Sequence, residues 1–297
     1  MKRIAVMLAL LLCLSACGAR HQETTVTPAQ NDQAGSQVDE QNAEDETTQE
    51  QHAQGELVGV VASAPLIEVE QHPESVSAED GTEVLNIGYP TFVITIPGND
   101  AAAQWISDDL AKTVEDYREI MAHGMSGESE SLAAEALEAY EMSQNDQWGW
   151  ETPYADELTA TVTRCDKQVL SVVFSSYTYA GGAHGFYYSF GRCYDVSTGA
   201  LLTLDNMGET GIDLKKELLD KVTEMSHDEE QYEPDMFFED YEQSLPDVVD
   251  DDFALDGDGI TFFAAPYELG AYAVGQIEFT VPYEELVGLV QSQYIFG

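Results

Sequence analysis

Residues 169–205 read VLSVVFSSYTYAGGAHGFYYSFGRCYDVSTGALLTLD. From Val169 to Tyr177 apolar residues fall on both faces of a two-residue period, which predicts a central strand covered on both sides. Gly181-Gly182-Ala183-His184-Gly185 then supplies a reversal rich in the residue that tolerates left-handed backbone. An aromatic strand follows, and a tight Ser197-Thr198-Gly199 turn leads into a further strand ending near Asp205. The rest of the chain reads as elements that pack on this sheet.

Upstream, Leu158, Ala160 and Val162 alternate with Thr159, Thr161 and Thr163, the pattern of a strand with one solvated face. Order is expected to begin near Val84, with a strand through Phe92–Ile96 stopped by Pro97-Gly98. Asn99 or Asp100 caps a long helix whose stripe is Ile106, Leu110, Val114, Tyr117 and Met121. A second helix spans Ser131 to Met142, and Trp148-Gly149-Trp150 reads as core or loop anchorage. Downstream, Leu214, Leu218, Val222 and Met225 mark another amphipathic helix, opened by Thr210-x-x-Asp213 in capping-box style. After an acidic passage over residues 227–252, a hairpin turns at Asp256-Gly257-Asp258-Gly259, and a last strand runs from Ile277 to Val281. The sum is an α+β fold of two layers, helices packed on a mostly antiparallel sheet.

Fifty-six Asp and Glu oppose eleven Lys and Arg, a formal net charge of -45 at pH 7 over 297 residues. Such a field repels nucleic acid and attracts basic proteins. Lys2 and Arg3 precede the apolar run Ile4–Leu14, which is long enough for a secretory leader and too short to span a bilayer as a helix. Leu14-Ser15-Ala16-Cys17 closes it in the manner of a bacterial lipobox. Residues 1–16 are therefore expected to be a lipoprotein signal peptide and Cys17 the acylated first residue, holding the protein to the outer face of the cell membrane. No other stretch is expected to cross a membrane. Residues 17–83, rich in Gln, Glu, Thr, Ala and Asp, read as an acidic disordered tether, with Leu66-Ile67-Glu68-Val69 as a first or fraying strand.

Cys165 and Cys193 remain as an even pair outside the leader. In an oxidising compartment they form either a disulfide, worth ~3–4 kcal/mol on the chain-entropy model, or two separate thiols. His184 has Ser175, Ser176 and Asp195 nearby in sequence, but no nucleophile elbow accompanies them, so no catalytic residues are assigned and the chain is expected not to be an enzyme. Asp250, Asp251, Asp252, Asp256 and Asp258 approach a calcium loop, yet Phe263 stands where the bidentate acid belongs. No metal site and no cofactor are expected.

Tyr179-Ala180-Gly181-Gly182-Ala183-His184-Gly185, Asp195-Val196-Ser197-Thr198-Gly199 and Leu201–Asp205 resemble the extracellular domain of the RsiV-like family, DUF4163 with DUF3298. Ile260–Gly270 and Ile277–Leu286 extend the resemblance, which covers roughly residues 84 to 297. It implies a DUF4163-like half over 84–180 and a DUF3298-like half over 181–297. One branch of that family binds lysozyme, and the domain also accompanies peptidoglycan deacetylases. The resemblance therefore implies a binding surface around Gly182, His184, Pro266 and Tyr267, with a cationic protein such as lysozyme, or peptidoglycan, as partner. The alternative is a wall-active enzyme accessory or hydrolase using the His184 loop.

Overall fold

The computed structural model describes residues 63–121, 131–144, 150 and 152–296. Residues 1–62, on which the expected leader, the Cys17 anchor and most of the expected tether fall, lie outside the described residues, as do Trp148 and Gly149. Among those described, no helix is long and apolar enough to cross a membrane.

The first half builds β1 (Leu66–Ser77), β2 (Glu83–Thr95), α1 (Asp100–Met121), α2 (Leu132–Ser143), β3 (Tyr154–Cys165), β4 (Val169–Tyr179) and β5 (Phe186–Asp195). The strands lie in the order β1-β2-β3-β4-β5, and every neighbouring pair is antiparallel except β2 and β3. That parallel pair, Leu85–Gly88 against Tyr154–Glu157, needs a long crossover, and α1 and α2 provide it.

Asn99 Oδ1 accepts the Ala102 amide at 3.3 Å and starts α1. All five stripe residues, Ile106, Leu110, Val114, Tyr117 and Met121, are buried in one core with Leu158, Leu170, Val172, Phe174 and Phe190. Burial of each stripe side chain is worth about 2 kcal/mol, so tertiary packing more than helix propensity holds α1 in place. Phe174 stacks on Phe190 at 5.1 Å and meets Phe92 edge-on at 5.8 Å, tying β2, β4 and β5 together.

The second half contributes α3 (Leu204–Met207), α4 (Leu214–Ser226), α5 (Leu245–Val248), β6 (Ala254–Leu255), β7 (Gly259–Ala264), β8 (Ile277–Pro282) and α6 (Tyr283–Leu286). β6, β7 and β8 form an antiparallel three-stranded sheet, and the buried Leu214, Leu218 and Val222 of α4 share a core with its Phe262 and Phe279. Val169 of β4 belongs to this core, while Leu170, Val172 and Phe174 belong to that of α1. The apolar residues on both faces of β4 have two separate cores to fill. Gly191 permits the close approach of the two sheets. Its amide donates to Asp252 O at 2.6 Å, and a Cβ there would sit 1.9 Å from Phe253 O. Arg164, 5% exposed, fastens the end of the chain to β3. Its Nε bonds Asp166 at 2.6 Å and its Nη1 bonds Tyr283 Oη at 2.9 Å and Tyr294 O at 2.6 Å.

Four expectations are corrected. The first or fraying strand expected at Leu66–Val69 is present and runs on to Ser77 in antiparallel pairing with β2, so the tether cannot extend to residue 83. The strand expected before Asp205 is a single bridge, Tyr194 to Leu201, because Thr203 and Asn206 cap each other and open α3 instead. Asp213 itself caps α4, accepting the Lys216 amide at 3.1 Å, and Thr210 plays no part in that cap. The thiols of Cys165 and Cys193 are free. Cys165 faces Leu170 across β3 and β4, Cys193 faces Ser171 across β4 and β5, and β4 lies between them. Two strand spacings, about 9–10 Å, exceed the reach of a disulfide. Cys193 Sγ instead lies 3.3 Å from Ser171 Oγ, and burial pushes its thiol up to about 12.

Candidate functional site

The sheet of β6–β8 covers only the beginning of β4's second face. Farther along that face Ser175 and Tyr177 are exposed, and the β4–β5 loop turns through Gly181 (φ 84°) and Gly182 (φ 86°). Gly182 and His184 stand in solvent at its tip. Tyr177 covers Gly185 so closely that a Cβ at 185 would lie 2.5 Å from the phenol ring. Tyr179 Oη donates to Gly182 O at 3.2 Å and braces the turn.

A second loop, between β7 and β8, meets the first. Ala265 and Glu268 form a tight turn, with the Ala265 amide donating to Glu268 Oε2 at 2.9 Å and the Glu268 amide to Ala265 O at 3.0 Å. Within it Tyr267 has φ 72°, the left-handed region, alone among the described non-glycine residues. A bulky residue in that region stores strain of order 1–3 kcal/mol, which the surrounding turn must impose. Tyr272 follows in a 3-10 turn and donates its hydroxyl to Gly185 O at 2.7 Å. The same carbonyl lies 3.0 Å from His184 Nδ1.

These contacts assemble an aromatic ledge. The His184 imidazole stacks on Tyr272 at 3.7 Å between centroids and 18° between planes. Tyr267 lies 5.5 Å from Tyr272 and 6.5 Å from His184, and Tyr187 meets Tyr272 edge-on at 6.1 Å. Partial burial, then the neighbouring phenols of Tyr187, Tyr177 and Tyr267, push the Tyr272 hydroxyl up, so it stays a donor to Gly185. Half-exposed rings, two of them tied by a polar atom to the Gly185 carbonyl, suit sugar faces, cationic side chains or the hydrophobic centre of a protein interface.

Two of the residues expected at a binding surface, His184 and Tyr267, are thus brought together, and Gly182 shapes the loop that carries one of them. Pro266 is corrected: it is buried beneath the turn and presents nothing to solvent. Tyr272, Tyr187 and Tyr177 were missed. Tyr272 sits in a segment without periodicity, and only the tertiary contact between loops gives it a role.

His184 is not joined to the other members of a hydrolytic triad. Ser175 bonds Ser189 Oγ at 3.1 Å and Ser176 bonds Tyr188 O at 3.2 Å. Asp195 ends the ten-residue β5 and His184 precedes its start, so about 30 Å of strand separates them. Of the acids near residues 250–258, Asp251 accepts the Leu204 amide, and Asp256 accepts the amides of Asp258 and Gly259 and the hydroxyl of Thr261. Among the described residues no group of three or more His, Cys, Asp or Glu is placed to hold a metal ion.

Residues 209–284 match the family model described as a protein of unknown function, DUF3298. Residues 79–187 match the model of the deacetylase PdaC. A crystal structure of a DUF3298 family member from Bacteroides fragilis aligns with 79% of this chain and 97% of its own, with a TM-score of 0.59 at 20% sequence identity. One of a DUF3298 family protein from Pseudomonas aeruginosa PAO1 aligns with 78% and 96%, with a TM-score of 0.47 at 21% identity. A search of curated proteins finds no match. The Bacteroides structure shares the fold. The ledge draws His184 and Tyr187 from the PdaC-matched stretch and Tyr267 and Tyr272 from the DUF3298-matched one.

Proposed function

We propose that this chain, which carries a DUF3298 domain, is a lipid-anchored extracytoplasmic binding protein that captures a cationic protein, a lysozyme being the sharpest case, on its aromatic ledge. The observation that carries the reading is the stacked pair His184 and Tyr272, with the strained Tyr267 beside it, offered to solvent where the two matched stretches meet. Exposed aromatic anchors supply a hot spot, and the net charge of -45 supplies the long-range attraction to a basic partner. Cys17 and the acidic segment after it place that surface away from the membrane.

Calorimetry of the mature chain with a basic lysozyme, at low and at moderate salt, tests the proposal. Binding is expected to persist at moderate salt and to weaken by about tenfold or more in Tyr272→Ala. Heat that vanishes with salt, or a variant indistinguishable from the parent, would sink it. The match to a deacetylase model over residues 79–187 favours a second reading, a wall-active enzyme or its accessory acting through the His184 loop. That reading needs turnover on peptidoglycan that is lost in folded His184→Ala.

A further inference from the structure

A cavity of about 220 Å³, lined by none of the ledge residues, opens in the first half of the fold between β2, the last turn of α1 and the first turn of α2. Leu85, Ile87, Met121, Leu132 and Ala133 give it apolar walls, Glu74 and Arg118 also line it, and Asp156 projects into it from β3. Asp156 is 3% exposed, accepts the hydroxyl of Tyr89 on one oxygen and that of Tyr117 on the other at 3.1 Å, and forms no ion pair among the described residues. Two hydroxyls do not exhaust the acceptor capacity of a carboxylate.

We propose that this cavity binds an organic ammonium ion, a primary amine on an apolar stem, with the nitrogen on Asp156 and the stem against Leu85, Ile87, Met121 and Leu132. A buried carboxylate is ordinarily matched by a cation in contact with it, and here the groups that touch it are neutral phenols, while the Arg118 charge acts on it only from beyond ion-pair distance. Both phenols are held protonated, pushed up mainly by burial and then by Asp156 itself, so they fix the carboxylate as the acceptor. Burial also pushes Asp156 up, with the two tyrosine hydroxyls and then the Arg118 charge opposing it, and a bound cation would favour its charged form further. Arg118, the one base in the wall, already lies over the Tyr89 ring at 4.9 Å and within 4.0 Å of Glu115. Its position shows that the Tyr89 face accepts a cation.

The test titrates the chain with benzylammonium, benzyl alcohol and benzoate, read by calorimetry and by amide chemical shifts around Ile87, Met121 and Ala133. Benzylammonium is expected to bind, with shifts confined to the cavity, and the neutral and anionic probes to bind at least about tenfold more weakly. Asp156→Asn should lower the benzylammonium affinity by about tenfold or more. That change removes one of 56 acids, so diffuse attraction of cations to the molecule would survive it. Ala133→Trp fills the cavity without touching the carboxylate and should abolish binding even if the Asp156 variant folds poorly. The proposal is overturned if benzoate binds as well as benzylammonium, if neither variant weakens binding, or if no probe binds.

Discussion

Asp156 and Asp195 are both buried, and their surroundings push them in opposite directions. Burial raises Asp156 and the hydroxyls of Tyr89 and Tyr117 only partly offset it. Burial acts on Asp195 too, but Ser197, Tyr294 and Thr198 donate to it from side chains and backbone, and together they hold it below the usual carboxylate range. A carboxyl lowered by folding stabilises the fold above its unfolded pKa, and that stability is lost as pH falls through the folded value. Asp195→Asn should therefore cost about 1–3 kcal/mol at neutral pH and flatten the loss of stability toward about pH 3. Urea unfolding at both pH values checks this, and a variant losing stability in parallel with the parent would contradict it. Asp156 works the other way: its contribution is present below the unfolded pKa and disappears as pH rises through the folded one. The role of Asp195 is written in the chain, since Ser197, Thr198 and Gly199 follow it as a turn. That of Asp156 is not, because its partners come from 67 and 39 residues away and the local text resembles any solvated strand.

The elements most legible in the sequence were those that bury a face. The stripe of α1 and the apolar residues on both sides of β4 could be read directly, because each must fill a core. β1 was the least legible. Ten of its twelve residues are exposed, its acids resemble the tether before it, and its pairing with β2 is a backbone interaction that leaves little mark on side-chain choice. It is nonetheless integral. Gln71 reaches over Gly88 and gives its amide to Leu158 O at 2.9 Å, satisfying a carbonyl on β3 beyond the short parallel ladder. Deleting residues 63–77 should lower Tm by about 4–8 °C, equivalent to ~2 kcal/mol, and leave β2 as a bare edge prone to pairing between molecules. Thermal unfolding and size-exclusion chromatography over a range of concentrations measure both effects, and an unchanged Tm with a monomeric profile would show β1 to be dispensable. The ledge was half legible for a related reason. Glycines announced the His184 loop, but its stacking partner arrives from another sheet.

Over the whole molecule the charges are unbalanced in number and in engagement. Among the described residues Lys112, Arg118, Arg164, Arg192, Lys216 and Lys221 each have a carboxylate within 4.0 Å, so most of the few cations are locally neutralised while the acid surplus faces solvent. The exposed pairs among these, at Lys112, Arg118 and Lys216, contribute at most about 1 kcal/mol each, whereas mutual repulsion among the remaining acids acts over the Debye length. Salt should therefore have two opposite effects. Raising it from low to moderate concentration is expected to increase Tm by several degrees, because screening relieves self-repulsion more than it weakens the ion pairs. If the ledge holds a basic lysozyme as proposed, the same change should slow their association by about tenfold or more while changing dissociation little, because steering would be electrostatic and the ledge contact would not. A salt series following Tm by calorimetry and rates by surface binding separates the two. A Tm that falls with salt would make the ion pairs the dominant electrostatic term. A dissociation rate that rises in step with the fall in association would leave charge alone, and not His184 and Tyr272, holding the partner.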